Sequence, residues 1–152
     1  MTIQPVDSPG QLRRFIEFPY RFYRERKDPY WVPPLRSDER VRLTPGKNPF
    51  FEHGEAGLFL AMDGGEVLGR IAASVDRNYD ALHGERQAAF GFFEAKSADA
   101  AAALLTAAQE WARGKGAEVV RGPLSFTTND ECGLLIDGFQ HRPALMMPYN
   151  PP

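Results

Sequence analysis

The sequence predicts one mixed α/β (α+β) domain over residues 1–152, and three observations predict it. Apolar residues recur at helical spacing between residues 12 and 23, in strand-like runs from residue 57, and at helical spacing again over 97–114. The last of these helical stretches lies between two β-prone runs, as the crossover of a β-α-β unit does. The 152 residues are 43% hydrophobic and 25% charged, a globular balance in a chain long enough to bury a real core.

In chain order, Met1 to Val6 reads as a short strand. Asp7-Ser8-Pro9-Gly10-Gln11 is a helix start, with Ser8 as cap, Pro9 at the first helical position and Gln11 completing a capping box. Leu12, Phe15, Ile16, Phe22 and Tyr23 then mark one apolar face. Pro19 interrupts that pattern and, lacking an N–H, predicts a kink or a split helix. Residues 28–34 hold three prolines with Tyr30 and Trp31, so they predict a loop anchored by aromatics. A shorter helix is predicted from Pro34 to Leu43, before the breaker Thr44 to Pro49. Gly57 to Met62 and Glu66 to Val75 read as strands joined by the hairpin signal Asp63-Gly64-Gly65. Asp76 to Arg86 is polar and predicts a loop or broken turn, and Gln87 to Glu94 predicts a third strand of this group. Ser97 to Gly114 is the clearest helix, with Ser97 as cap, Asp99 in the first turn and a stripe of Leu104, Leu105, Ala108, Trp111 and Ala112. Glu118 to Arg121 predicts a last short strand.

Composition excludes several functions. A formal net charge of −2 argues against a basic polyanion-binding domain, so no nucleic-acid partner is expected. The single cysteine, Cys132, forms no internal disulfide, which suits a reducing cytoplasm, and it reads as a small structural residue with no base beside it. His53, His83 and His141 are scattered without ligand spacing, so no metal is expected. No run approaches a membrane span of about 18 apolar residues, and no signal-peptide core is present, so no membrane partner is expected.

Several segments carry a family resemblance: Phe15-Ile16-Glu17-Phe18-Pro19-Tyr20, Trp31-Val32-Pro33-Pro34-Leu35-Arg36, Lys47 to His53, Gly69-Arg70-Ile71-Ala72-Ala73, Gly91-Phe92-Phe93-Glu94, Arg121-Gly122-Pro123 and Thr128 to Leu135. With the element order, they resemble the GNAT (N-acetyltransferase) superfamily, and within it the N-terminal portion of a longer bacterial GNAT-like family. The proline-rich ending, without a closing strand, also predicts that residues 1–152 are part of something longer. The resemblance implies a mixed, mostly antiparallel sheet with flanking helices. It implies acetyl-CoA as cofactor, with Gly91, Phe92 and Phe93 presenting backbone groups to the pantetheine arm and the acyl oxygen. Lys96 and Ser97 then lie at the helix start, where amide groups suit a pyrophosphate. Neither glycine of the superfamily's phosphate loop stands in Ala95 to Asp99, and Asp99 adds a carboxylate. The resemblance further implies Glu94 as a base for the attacking amine and Tyr149 as the phenol that protonates a leaving thiolate.

The resemblance also implies that Trp31 and its prolines wall the acceptor site, while Asn129 and Asp130, beyond the last strand, are expected to contact substrate. The competing reading of residues 128–133 is a short helix capped by Thr128 or Asn129. Residues 11–42 hold nine basic groups against five acids, which reads first as a solvated helix face. Two functions follow. One is an acyl-CoA-dependent N-acyltransferase acting on a small-molecule amine, or half of a tandem protein of that kind. The other is a non-catalytic GNAT-like module that binds a ligand or packs against a second domain or a second copy, and the missing glycines favour it.

Overall fold

Ser8 starts the first helix as its capping box predicts. Its Oγ accepts the Gln11 N–H at 3.3 Å, and Gln11 Oε1 accepts the Asp7 N–H at 3.0 Å. The computed structural model describes residues 1–144 and 150. The first helix, α1, spans Pro9–Arg26 without a break at Pro19. The helix is not split because Phe15, Ile16, Phe18, Pro19, Tyr20, Phe22 and Tyr23 are all buried, and that packing outweighs the loss of about 3 kcal/mol from a proline inside a helix. The second helix, α2, is Arg36–Arg42, and a 3₁₀ turn covers Pro49–Glu52.

Five strands form one sheet in the order β1-β2-β3-β4-β5. They are β1 (Thr2–Pro5), β2 (Gly54–Asp63), β3 (Glu66–Asp76), β4 (Gln87–Ala95) and β5 (Val119–Arg121). Neighbours are antiparallel except β4 and β5, which run parallel because a helix crosses between them. The predicted loop at 76–86 contains a helix instead, α3 (Arg77–His83). Its signals were short-range: Asp76 Oδ1 accepts the Asn78 N–H at 2.9 Å, and Gly84 ends the helix in the left-handed region at φ +65°. Residues 128–133 form turns and bends rather than the predicted capped helix.

The crossover helix, α4 (Ala98–Gly114), lies on one face of the sheet; α1, α2 and the 3₁₀ turn cover the other. The period of two in β3 divides its side chains accordingly. Ile71 and Ala73 pack with Leu104 and Ala108 of α4, whereas Ala72 joins Phe15, Leu60 and Phe92 on the α1 side. Arg70 points to this second side too, into a core it must share with aromatic rings. Among the described residues, no helix is long and apolar enough to cross a membrane.

Candidate functional site

Strand β4 carries an irregularity at the end nearest α4. Ala72 faces Gly91 and Arg70 faces Glu94, so Ile71 alone opposes Phe92 and Phe93. This is a β-bulge, and Phe92 sits in the left-handed region at φ +47°. Such backbone in a non-glycine residue costs on the order of 1 kcal/mol and persists only where packing enforces it. The bulge sends Phe90 and Phe93 towards α4 and Phe92 and Glu94 towards α1. Phe92 donates its N–H to Ser125 Oγ, a buried hydroxyl 3.2 Å away.

Beside the bulge lies a chain of charged side chains that is buried at Arg70 and Glu39 and reaches the surface at Glu131. Glu94 Oε2 accepts from Arg70 Nε at 2.6 Å, and its Oε1 accepts from a second Arg70 nitrogen at 3.3 Å. The same guanidinium donates to the Phe15 carbonyl at 3.2 Å and lies 4.0 Å from Glu39 Oε2. Glu39, itself buried, pairs with Arg42 at 2.9 Å, and Arg42 continues to Asp130 at 3.7 Å and Glu131 at 3.3 Å. Burial pushes the Glu39 carboxyl above its ordinary range, against the pull of Arg42 and Arg70. Burial also works against the Arg70 charge, but Glu94 and Glu39 more than offset it and hold the guanidinium charged. Both cations lie against Phe92, with Arg42 4.6 Å and Arg70 5.7 Å from the ring centre.

The start of α4 is capped from within the chain. Ser97 Oγ accepts the Ala100 N–H at 3.2 Å, and Asp99 occupies the first turn. Lys96 Nζ is held by Glu25 at 2.7 Å and Glu66 at 2.9 Å. Of the remaining sequence candidates, Trp31 stacks on Tyr23 with ring centres 4.7 Å apart and meets Tyr20 edge-on at 5.4 Å. Asn129 is exposed and donates its backbone N–H to Thr127 Oγ1, whereas Asp130 joins the charge chain through Arg42 and accepts from Thr127 Oγ1 at 2.9 Å. Tyr149 lies outside the described residues. The structure thus brings Glu94, Phe92 and Asp130 into one region with Arg42, Ser125, Arg70 and Glu39, and the last two were not among the sequence candidates. One signal was there to find: Arg70 is a lone cation in the apolar run from Val67 to Val75.

These residues do not fit acetyl-CoA. The one bulge amide whose partner lies outside the sheet, that of Phe92, is already bonded to Ser125. Gly91 is covered by the Leu124 backbone, and the α4 start offers a carboxylate and a neutralised lysine where a pyrophosphate needs free donors. Among the described residues, no group of three or more His, Cys, Asp or Glu could hold a metal ion. A shallow groove lined by Ile3, Phe59, Ala103 and Trp111 lies between α4 and the β1–β2 edge.

No family model matches the chain. It is 38% identical over 153 residues to a bacterial ceramide synthase of Caulobacter vibrioides and 37% identical over 144 residues to Protein YghO of Escherichia coli. The alignments take in 99% and 94% of this chain but 39% and 36% of those proteins, so the chain spans under two fifths of their length. Among solved structures, an acetyl transferase assignment from Pyrococcus furiosus superposes with a TM-score of 0.52 at 21% identity, covering 81% of each chain. An aminoglycoside acetyltransferase from an uncultured soil metagenomic sample, in complex with sisomicin, gives a TM-score of 0.57 at 16% identity over 79% of this chain and 74% of that one. The mixed α+β layers, the five-stranded mostly antiparallel sheet and these superpositions agree, and the chain has the GNAT-like acetyltransferase fold.

Proposed function

We propose that this chain is part of an amide-forming N-acyltransferase, one that joins an acyl group to the amine of a small molecule. The observation that carries the reading is the 38% identity to a protein named ceramide synthase, maintained over 99% of this chain. A ceramide is an N-acylated long-chain amino alcohol, so that name denotes amide formation, and the acetyltransferase neighbours share the general reaction class. Within this reading, α1, α2 and the Trp31 loop form the acceptor side, and the charge chain from Glu94 to Glu131 itself holds four carboxylates against two guanidinium groups, a local excess suited to a cationic amine. The test incubates the chain with acetyl-CoA or palmitoyl-CoA and a panel of amines that includes a long-chain amino alcohol, with mass spectrometry for the amide. Chain-dependent amide supports the reading.

A second reading is a non-catalytic module that packs against a second domain or a second copy, and the engaged Phe92 amide favours it. Absence of amide from a chain that is folded by circular dichroism supports this one instead.

A further inference from the structure

We infer that residues 122–126 are a built-in filler of the space beside the β4 bulge, and that this seam therefore admits no CoA thioester. The inference rests on the acyl-transfer reading only for its choice of ligand; the contacts that support it stand alone.

The first support is close backbone approach. After the parallel pairing of residues 87–89 with 119–121, the chain does not leave β4, since Leu124 donates its N–H to the Phe90 carbonyl at 2.6 Å. A Cβ on Gly91 would stand 2.3 Å from the Leu124 carbonyl oxygen, and one on Gly122 would stand 2.4 Å from the Phe90 carbonyl oxygen. Glycine on both sides of the seam is what lets the two backbones touch, so the closure is written into the sequence.

Hydrogen bonding supplies the second support. A bulge releases an amide from its ladder, and such an amide could hold an acyl oxygen. Here Ser125 Oγ takes the Phe92 N–H from within the chain. Filling supplies the third. Phe126, at φ +77°, stacks on Phe50 with ring centres 4.7 Å apart and planes 3° from parallel, and lies 5.1 Å from Phe92. The left-handed backbone of a bulky residue is tolerated because its ring is almost wholly buried in that aromatic stack. Beyond it, Ser125 N–H donates to the Glu131 carbonyl at 2.9 Å, and Arg42 ties Asp130 and Glu131 to α2. An acyl-carrier arm would have to displace the Leu124–Phe90 bond, the Ser125–Phe92 bond and a buried phenylalanine together.

The experiment titrates the full ¹⁵N-labelled chain with 1 mM CoA and with 1 mM acetyl-CoA, recording the melting temperature and the amide spectrum. The filler predicts a melting temperature unchanged within about 1 °C and no shift of the amides of Gly91, Phe92, Phe93 or Ala98 to Ala100. A site with a Kd near 10 μM would raise it by roughly 5–10 °C, and that rise with shifts at those amides overturns the inference. Hydrogen exchange on S125A is a second arm: loss of the Ser125 acceptor should speed exchange of the Phe92 amide about tenfold, and unchanged protection would overturn the role given to Ser125. Amide formation without shifts at Gly91 to Phe93 keeps both, whereas amide formation with those shifts removes the filler and keeps the acyl-transfer reading. Absence of both product and shifts keeps the filler and removes that reading.

Discussion

Replacing Arg70 by Met tests the energetic centre of the molecule. The guanidinium is only 5% exposed and closes a 2.6 Å ion pair with Glu94, which is itself 14% exposed. Truncation leaves Glu94 without a counter-charge and Glu39, 5% exposed, with Arg42 alone. Breaking a buried pair by removing one partner costs about 3–5 kcal/mol, largely because the other charge stays buried. For a domain near 150 residues that is a fall in melting temperature of roughly 6–20 °C. The loss should also depend on pH. Burial already raises the Glu39 pKa above its unfolded value, so the folded state binds more protons than the unfolded state in that window and stability rises as pH falls through it. Arg70 is one of the charges that oppose this rise, so its removal widens the window. Urea denaturation at pH 7.5 and pH 5.0 should show R70M recovering stability at the lower pH relative to the parent. Adding Glu94→Gln should recover part of the loss at pH 7.5, because the stranded carboxylate is gone. A cost below about 1 kcal/mol at pH 7.5, or one equal at both pH values, would refute the account of a strongly coupled buried network.

Three further outcomes are expected. Gly91→Ala must open the seam against the Leu124 backbone, lowering stability by about 1–3 kcal/mol, read as a reduced urea midpoint with unchanged far-ultraviolet dichroism. Trp31→Ala removes a ring stacked on Tyr23 and should cost about 2 kcal/mol of folding stability; a binding defect larger than this would mark Trp31 as a substrate wall. Asp76→Ala removes both the cap of α3 and the partner of His53 Nδ1 at 2.8 Å, and should lower stability by about 1–2 kcal/mol with faster amide exchange confined mainly to residues 77–83.

Much of the architecture was legible because its signals are local. Ser8 and Gln11 start α1, Ser97 starts α4, and Asp63-Gly64-Gly65 joins two apolar, β-prone runs, each within a few residues of what it controls. The misreadings have local and non-local causes. Asp76 and Gly84 did mark α3, but Asn78 and His83 hid them in a polar stretch with little apolar period. Pro19 breaks a helix in isolation, whereas here tertiary burial of its neighbours carries the helix through.

The amino-acid order by itself determined the starts of α1 and α4, the succession of the elements other than α3 and that a crossover makes β4 and β5 parallel, because caps, turns and periodicity act over one or two turns of chain. Tertiary structure alone decided what the candidate site contains. Arg70 and Glu94 lie 24 residues apart in sequence, Phe92 and Ser125 33 apart, and Arg42 and Glu131 89 apart. No local pattern records such pairings; they arise when the sheet sets β3 beside β4, α2 closes over them, and Gly91 and Gly122 let the later chain lie close enough to seal the seam.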